Sequence, residues 1–551
     1  MVSPVAIEGS RGASGAAAAR VLRRLAPPLA ILAAACALFV TSPVAGDFSW
    51  SDAPRHALNG AFVLDFMRAL PWRHPAQWAA AYYLQYPALS ILFYPPLFYA
   101  VEATVFAVFG VSHWAAQLTV AGFAAALGFG VYRMARLWLP RGVALGSALM
   151  LMGAPGFAFW GRQVMLDIPA CALLVWGVYC FARFLGRDRT RDLALAVALL
   201  LAALYTKYNV VFVAPVLLAA LLRARGADVV SDRRIWMATG AASLFMVPAI
   251  LLNLKFGAVN FQSVADHPGE FSRWSLEAWL FYPGLLPELL GWPVVLASAA
   301  EAGLLAVRKE TRLAGWPSWL LLGWLVAGYA FFTAISVREP RHVLTALVPL
   351  AIFAGLALDR LPRRAGGPAA LALGVFTLGW SIAFDPVPVI EGHRQMADYV
   401  ADFAPPKTII LFSGYRDGNF IFDLRTREDR RDLSVIRADK LLLRIAVERP
   451  RGVGEANLSE DQIAAEIRDL GVGLIVAEDG FWNDLPEMKR LENVLQRPDF
   501  VPVTHFAITG TMGHSDKAFT IYRPAYTVTP PREGLSIDMP IFGGRFEGAP
   551  H

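Results

Sequence analysis

The stretch ILFYPPLFYAVEATVFAVFG (residues 91–110) decides how this chain is arranged. A helix that crosses a bilayer needs about 20 mostly apolar residues, and this stretch has them. If it crossed, Arg133, Arg136 and Arg141 would fall on the outer side and every later basic cluster would be inverted. Pro95 and Pro96 are suited to opening a helix within the stretch, and Glu102 lies in its middle. An acid at mid-bilayer costs about 3 kcal/mol on insertion scales. The stretch therefore reads as a helix lying in or on the outer leaflet without crossing.

The sequence on either side supports a polytopic membrane protein. The chain has 551 residues, of which 56% are hydrophobic and 17% charged. Soluble domains carry about 25% charged residues. With a mean hydropathy of +0.46 and 35 Phe, this composition excludes a disordered chain, a coiled coil and an ordinary soluble enzyme. Candidate spans are 27–46, 114–132, 142–158, 168–185, 234–252, 290–307, 316–336, 342–359 and 367–384. The longer stretch 192–222 is interrupted by YTKYN (205–209) and reads as two short spans meeting at Lys207. The expectation is eleven spans, with 12 or 13 as the alternative if one hairpin is misread. No cleavage site follows the first run, so 27–46 reads as an uncleaved span preceded by a tail, 1–26. Cys36, Cys171 and Cys180 all fall in apolar runs and offer no disulfide framework.

Lys and Arg mark the cytoplasmic side. Up to residue 384, 21 of them fall on one side of this arrangement: Arg11, the clusters around Arg20–Arg24, Arg133–Arg141, Arg183–Arg191 and Arg223–Arg234, then Arg308/Lys309/Arg312 and Arg360/Arg363/Arg364. Nine fall on the other. The N-terminus is therefore expected inside, and the chain in a bacterial-type cytoplasmic membrane. The net charge of +6 is spent on topology, so no nucleic acid is expected as a partner. The outer loops are a long first one (about 47–113), 159–167, YTKYN, a long one at 253–289 and REPRH (338–342).

From Asp385-Pro386 onward the composition becomes that of a soluble domain. TIILFSG (408–414) and GLIVAED (473–479) read as buried parallel strands, and FVPVTHFAI (500–508) and FTIYRP (519–524) as later ones. Helical patterns occur at 391–403 and 460–470. The expected fold class is thus a polytopic α-helical domain (27–384) with interfacial helices in its first external loop, followed by an extracytoplasmic α/β domain (385–551).

Charged groups on the outer face carry the chemistry. Asp52, just past the first span and beside Arg55 and His56, is suited to base catalysis or to binding a metal; it could equally cap the helix that begins near Pro54. Asp167, two residues before Pro169, has the same two readings. Lys207, Arg338, Arg341 and His342 sit at span ends, where they could serve as interfacial anchors. Together these acids and bases suit a phosphate-bearing lipid at the outer leaflet: Arg and Lys would hold the phosphate and a carboxylate would activate an acceptor hydroxyl.

In order, SDAPRHALNG (51–60), YPPLFY (94–99), GRQVMLDIPA (161–170), YTKYN (205–209) and REPRHVLTALVP (338–349) resemble the C-superfamily glycosyltransferases of the protein O-mannosyltransferase type, whose bacterial relatives include the lipid A aminoarabinose transferases. The resemblance covers about 47–350. It implies transfer of a sugar, with inversion, from a polyprenyl-phosphate donor to a hydroxyl or phosphate on a lipid, glycan or protein at the outer face. Asp52 would then be the base, with Asp167 assisting it. Lys207, Arg341 and Arg338 would bind the donor phosphate, and Arg55, His56, Tyr94 and His342 would line the acceptor or donor pocket. Asp52 and Asp167 could share a divalent cation, Mg or Mn; no other cofactor is expected. Three positions depart from the family pattern: Ala53 replaces the second acid of many members, Tyr94-Pro95 stands where many have Lys, and Arg341-His342 replaces Arg-Tyr. Three other readings remain: a lipid-linked glycan polymerase or ligase, a transporter or flippase of lipid-linked sugars, and a structural membrane subunit.

The charge bias generates a topology prediction. Cysteines introduced near 267 and 417 should react with an impermeant maleimide added to intact cells, and one near 188 should not. Labelling at 188 would invert the arrangement.

Overall fold

A computed structural model describes residues 8–257, 272–307, 313–362, 364–445, 449, 452–514, 516–529, 535–539 and 544–548. Position 267 and the basic residues Arg308, Lys309, Arg312 and Arg363 lie outside these residues, as do the side chains of Arg11, Arg20 and Arg23.

The first helix, α1 (Glu8–Val40), runs unbroken through Pro27 and Pro28, so the expected tail and first span are one rod. The long first loop holds α2 (Ala53–Ala69), α3 (Pro75–Gln85) and α4 (Leu97–Phe109). Helix α4 starts directly after Pro96. Its 13 residues extend about 20 Å, short of the roughly 30 Å hydrocarbon core. Glu102 faces inward rather than to lipid: a Cβ on Gly60 of α2 would come within 2.2 Å of its carboxylate.

Next come α5 (His113–Ala135), α6 (Arg141–Gly153), α7 (Pro155–Gly161) and α8 (Asp167–Arg187). Helices α6 and α7 form a pair bent by 63° at Pro155. The expected interruption at Lys207 is present: α9 (Thr190–Leu204) ends before it, a 3-10 turn spans Tyr208–Val213, and α10 (Ala214–Arg225) follows. Then come α11 (Asp228–Ser231), α12 (Arg233–Phe256), α13 (Leu276–Leu290), α14 (Trp292–Val307), α15 (Trp316–Ala334), α16 (Leu344–Asp359) and α17 (Gly366–Phe384). Helix α13 lies in the segment expected to be loop. Its three prolines and glycines (Pro283, Gly284, Pro287) mask its periodicity in the sequence.

Among the described residues six helices are long and apolar enough to cross a membrane, or seven with the bent pair as one span. Four further apolar helices, including Leu97–Phe109 and Leu344–Asp359, are shorter. Helix α16 is the centre of the bundle, buried at every position from Leu344 to Leu356. Helix α12 is the opposite case, with Trp236, Leu244, Phe245, Leu251 and Leu254 exposed, as suits a helix in contact with lipid.

After Asp385 the chain builds a five-stranded mixed sheet in the order 434–437, 409–413, 472–478, 519–524, 500–506. The strands Ile409–Ser413 and Val472–Glu478 pair in parallel, as their apolar runs suggest. Phe519–Pro524 and Phe500–Phe506 add antiparallel to the edge. The expected helices are His393–Phe403 and Glu460–Asp469. This unit does not stand apart, because one continuous core joins Phe412, Phe420 and Phe422 to Phe48 and the helices of the bundle.

Small residues let α6 and α17 approach closely. A Cβ on Gly146 would lie 2.4 Å from the Ala370 backbone, and one on Gly153 would lie 2.4 Å from the Leu378 nitrogen. Gly146→Leu should therefore destabilise the fold by about 1–3 kcal/mol and lower the thermal midpoint in detergent. Gly240→Leu on α12, where nothing lies within 4 Å, should leave it close to wild type.

Candidate functional site

Asp52 precedes α2 but makes no side-chain cap to it. Its carboxylate instead accepts from Arg341 Nη2 at 3.0 Å. Arg341 also donates through Nε to Glu339 at 2.5 Å, and its Nη1 meets the Met165 sulfur at 3.8 Å. The rings of Trp50 and Trp160 flank the guanidinium at 5.5 and 5.6 Å. The same rings meet edge-to-face 5.0 Å apart. Arg341 thus sits against a corner formed by two aromatic rings, with one edge on two carboxylates.

A second pair lies beside the first. Lys207 donates to Asp167 Oδ1 at 2.5 Å. The break between α9 and the 3-10 turn turns Lys207 toward the N-terminus of α8, where an acid is also favoured by the helix dipole. Asp167 Oδ2 is buried and has no hydrogen-bond partner among the described residues. The backbone of Tyr205 accepts from Leu97 N at 2.9 Å, which fastens the start of α4 to the same break.

His56 is buried one turn into α2 and hydrogen-bonds Tyr99 through Nδ1 at 2.9 Å. Its ring meets the Tyr94 ring edge-on at 4.8 Å. Burial pushes the His56 imidazole down to about 4, and the charges of Arg341 and Lys207 push the same way against Asp52. Burial likewise holds His342 down at about 3, helped by Lys207 and Arg341. His342 Nδ1 donates to the Val337 carbonyl at 3.2 Å. Burial alone would raise the Asp52 carboxyl; the Arg341 guanidinium, by charge and hydrogen bond and with Arg55 adding to it, outweighs burial and holds Asp52 below the ordinary carboxylate range. Asp52 raises the Tyr94 phenol, and burial adds to this. The site therefore contains an ionised Asp52 among neutral imidazoles and a neutral phenol.

Of the residues singled out in the sequence, Asp52, His56, Tyr94, Asp167, Lys207, Arg341 and His342 come together. Two are engaged elsewhere. Arg55 forks onto Asp417 at 2.8 and 3.0 Å, and Arg338 donates to the carbonyls of Thr333 and Ser336. Glu339, Trp50, Trp160 and Tyr99 are site neighbours that the sequence reading passed over. The two tryptophans look like interfacial belt residues in a sequence, and only the fold turns them onto Arg341. As for a shared metal, the two carboxylates are each already matched by a cation of the chain. Among the described residues no group of three or more His, Cys, Asp or Glu converges as a metal-binding set.

Residues 94–252 match the family model described as Dolichyl-phosphate-mannose-protein mannosyltransferase. The matched region begins at Tyr94 of the site and takes in Asp167 and Lys207. The chain superposes on ArnT from Cupriavidus metallidurans in the apo state, with a TM-score of 0.62 and 16% identity over 94% of this chain and 100% of that one. The chain shares the fold of that ArnT structure. The undecaprenyl phosphate complex of the same ArnT gives a TM-score of 0.61 at 16% identity, over 91% and 98% of the two chains. An oligosaccharyltransferase from Archaeoglobus fulgidus gives 0.54 at 12% identity, over 88% and 74%. No curated protein sequence matches.

The neutral histidines generate a stability prediction. In an unfolded chain His56 and His342 would titrate near 6.5, whereas in the fold they stay neutral to about 4 and about 3. Between about pH 6.5 and those lower values the unfolded state binds protons that the fold does not. Stability should be complete above about pH 6.5 and fall on acidification toward pH 4. His56→Asn should flatten that slope in a thermal midpoint against pH series, and an unchanged slope would mean that His56 is solvated.

Proposed function

We propose that this chain is a membrane glycosyltransferase. It would move a sugar from a polyprenyl-phosphate donor to a hydroxyl or phosphate acceptor on a lipid, glycan or protein, with inversion, at the extracytoplasmic face of the cytoplasmic membrane. The observation that carries the reading is the Asp52–Arg341 pair beside the Asp167–Lys207 pair. Asp52 stands where a helix cap would serve, yet it turns away from that task toward a cation.

The chemistry follows from these groups. Asp52, kept ionised by Arg341, takes the proton from the acceptor hydroxyl as its oxygen attacks the anomeric carbon. The bond from that carbon to the phosphate oxygen breaks, and the polyprenyl phosphate leaves with the electron pair. Because the leaving group is already a weak base, it needs charge neutralisation more than a proton. Arg341 Nη1, in contact with a soft sulfur, and Lys207 are the donors for it. Asp167 keeps Lys207 in place and offers Oδ2 to the acceptor. Tyr94 and His56, both neutral, form the wall of the sugar pocket. Asp52 and Asp167 are each matched by Arg341 and Lys207, so no step is routed through a divalent cation.

A general base contributes about 10²–10⁴-fold to rate, so Asp52→Asn should lower kcat at least ~100-fold with the protein still inserted and folded. The assay is transfer from purified polyprenyl-phosphate sugar in nanodiscs. Wild-type turnover would remove Asp52 from the chemistry.

The cations should separate in the same assay. A charge-assisted contact contributes roughly 1.5–3 kcal/mol, so Lys207→Met should raise the apparent donor KM by about tenfold or more. Arg341→Met should raise KM and also lower kcat, because Asp52 loses the charge that keeps it ionised. Unchanged donor kinetics in both variants would place the phosphate elsewhere.

A further inference from the structure

The backbone that carries Asp52 is gripped from one side by the unit that follows residue 385. Asp47 N donates to the Ile390 carbonyl at 2.7 Å. The Asp47 carboxylate receives His393 N at 2.8 Å and Arg394 N at 3.2 Å. Phe48 N donates to Asn419 Oδ1 at 3.2 Å, and Asn419 Nδ2 donates back to the Phe48 carbonyl at 3.0 Å. A side-chain amide thus pairs with one residue's backbone as a neighbouring strand would. Arg416 Nη1 donates to the Ser49 carbonyl at 2.5 Å, while its Nε holds Asp516 at 2.6 Å. Arg55 forks onto Asp417, and Gly418 lies so close to Pro54 that a Cβ there would meet the Pro54 ring at 2.8 Å.

Residues 47, 48, 49, 54 and 55 are therefore held from this side, and the span between them faces the bundle. There Ser49 Oγ donates to Gln163 at 3.0 Å and Asp52 meets Arg341. The gripping residues are built for the task. Asn419 is 1% exposed, so its amide has no water to turn to. Arg416 sits at φ +55°, a left-handed conformation that a non-glycine residue adopts at a cost. Such strain persists where surrounding contacts hold it, and here it aims one guanidinium at both Ser49 and Asp516.

We infer that Asn419 and Arg416 are positioning residues for transfer: through the backbone of Phe48 and Ser49 they fix Asp52 at its working distance from the acceptor. This inference rests on the proposed role of Asp52 and extends it to a unit with no other assigned task. A displacement of about 1 Å in a catalytic group can cost about 10²-fold in rate, so a loosened 47–52 segment should act on turnover and spare donor binding.

The test uses full-length protein in nanodiscs with two readouts, hydrogen exchange of the peptide covering 47–52 and steady-state transfer. In Asn419→Ala the Phe48 amide loses its acceptor, so exchange in 47–52 should rise while peptides from α16 stay protected. The expected kinetics are a kcat lower by about tenfold or more at an unchanged apparent donor KM. Arg416→Met should give the same pattern and serves if Asn419→Ala fails to fold, with Arg416→Lys restoring part of both readouts. Unchanged exchange in 47–52 overturns the grip. Faster exchange with wild-type kcat, or a loss that falls on KM, overturns the positioning role. Should Asp52→Asn prove fully active, the proposed chemistry fails, and exchange in 47–52 still decides the grip independently.

Discussion

Arg341 and Asp52 meet across 289 residues of sequence, and the arrangement of the site hangs on that contact. One partner lies in REPRH (338–342), the other near the start of the long loop after α1, and the rings of Trp50 and Trp160 lie against Arg341. A cation so placed has given up most of its hydration and must be compensated by the chain. Breaking one partner of a fully buried pair costs about 3–5 kcal/mol; Asp52, 27% exposed, pays less of that penalty than Arg341 at 9%. The same residue that neutralises Arg341 is therefore the one with access to a ligand. The pair is both a fastening and a working part.

Much of this was legible in the sequence, for identifiable reasons. The helices were readable because lipid imposes one rule along their whole length, and the break at YTKYN showed because a lysine cannot hide in a span. The strands 409–413, 472–478 and 519–524 were readable because buried β segments are short apolar runs with polar ends. Asp52, Asp167, Lys207 and Arg341 stood out because charge at a span end needs a reason. The partners were not legible. Nothing local says that Asp52 faces Arg341 and Asp167 faces Lys207, or that Arg55 and Arg338 turn aside. Helix α13 escaped because prolines and glycine blur its period.

The unit after residue 385 shows the limit more sharply. A shift from apolar to polar composition reads as a domain boundary, yet the packing ignores it. Phe48 lies against Phe422 at 5.2 Å, and Arg425, fully buried, holds Asp65 of α2 at 2.6 and 2.8 Å. Composition reports which solvent a segment faces. It does not report which neighbours a segment needs, and here the polar unit completes the long loop between α1 and α5.

That packing also sets an order of events in biosynthesis. The segment bearing Asp52 leaves the ribosome among the first 60 residues, and the amide that pairs with Phe48 is made 371 residues later. During most of translation the loop has its sequence but no template. Contacts of such separation form late, because the intervening chain must be ordered before they repay their closure. The 47–52 segment would thus be set only in a final step, once the unit after residue 385 has folded. A truncation just before residue 416 would leave the helices of the bundle with a 47–52 segment that never sets.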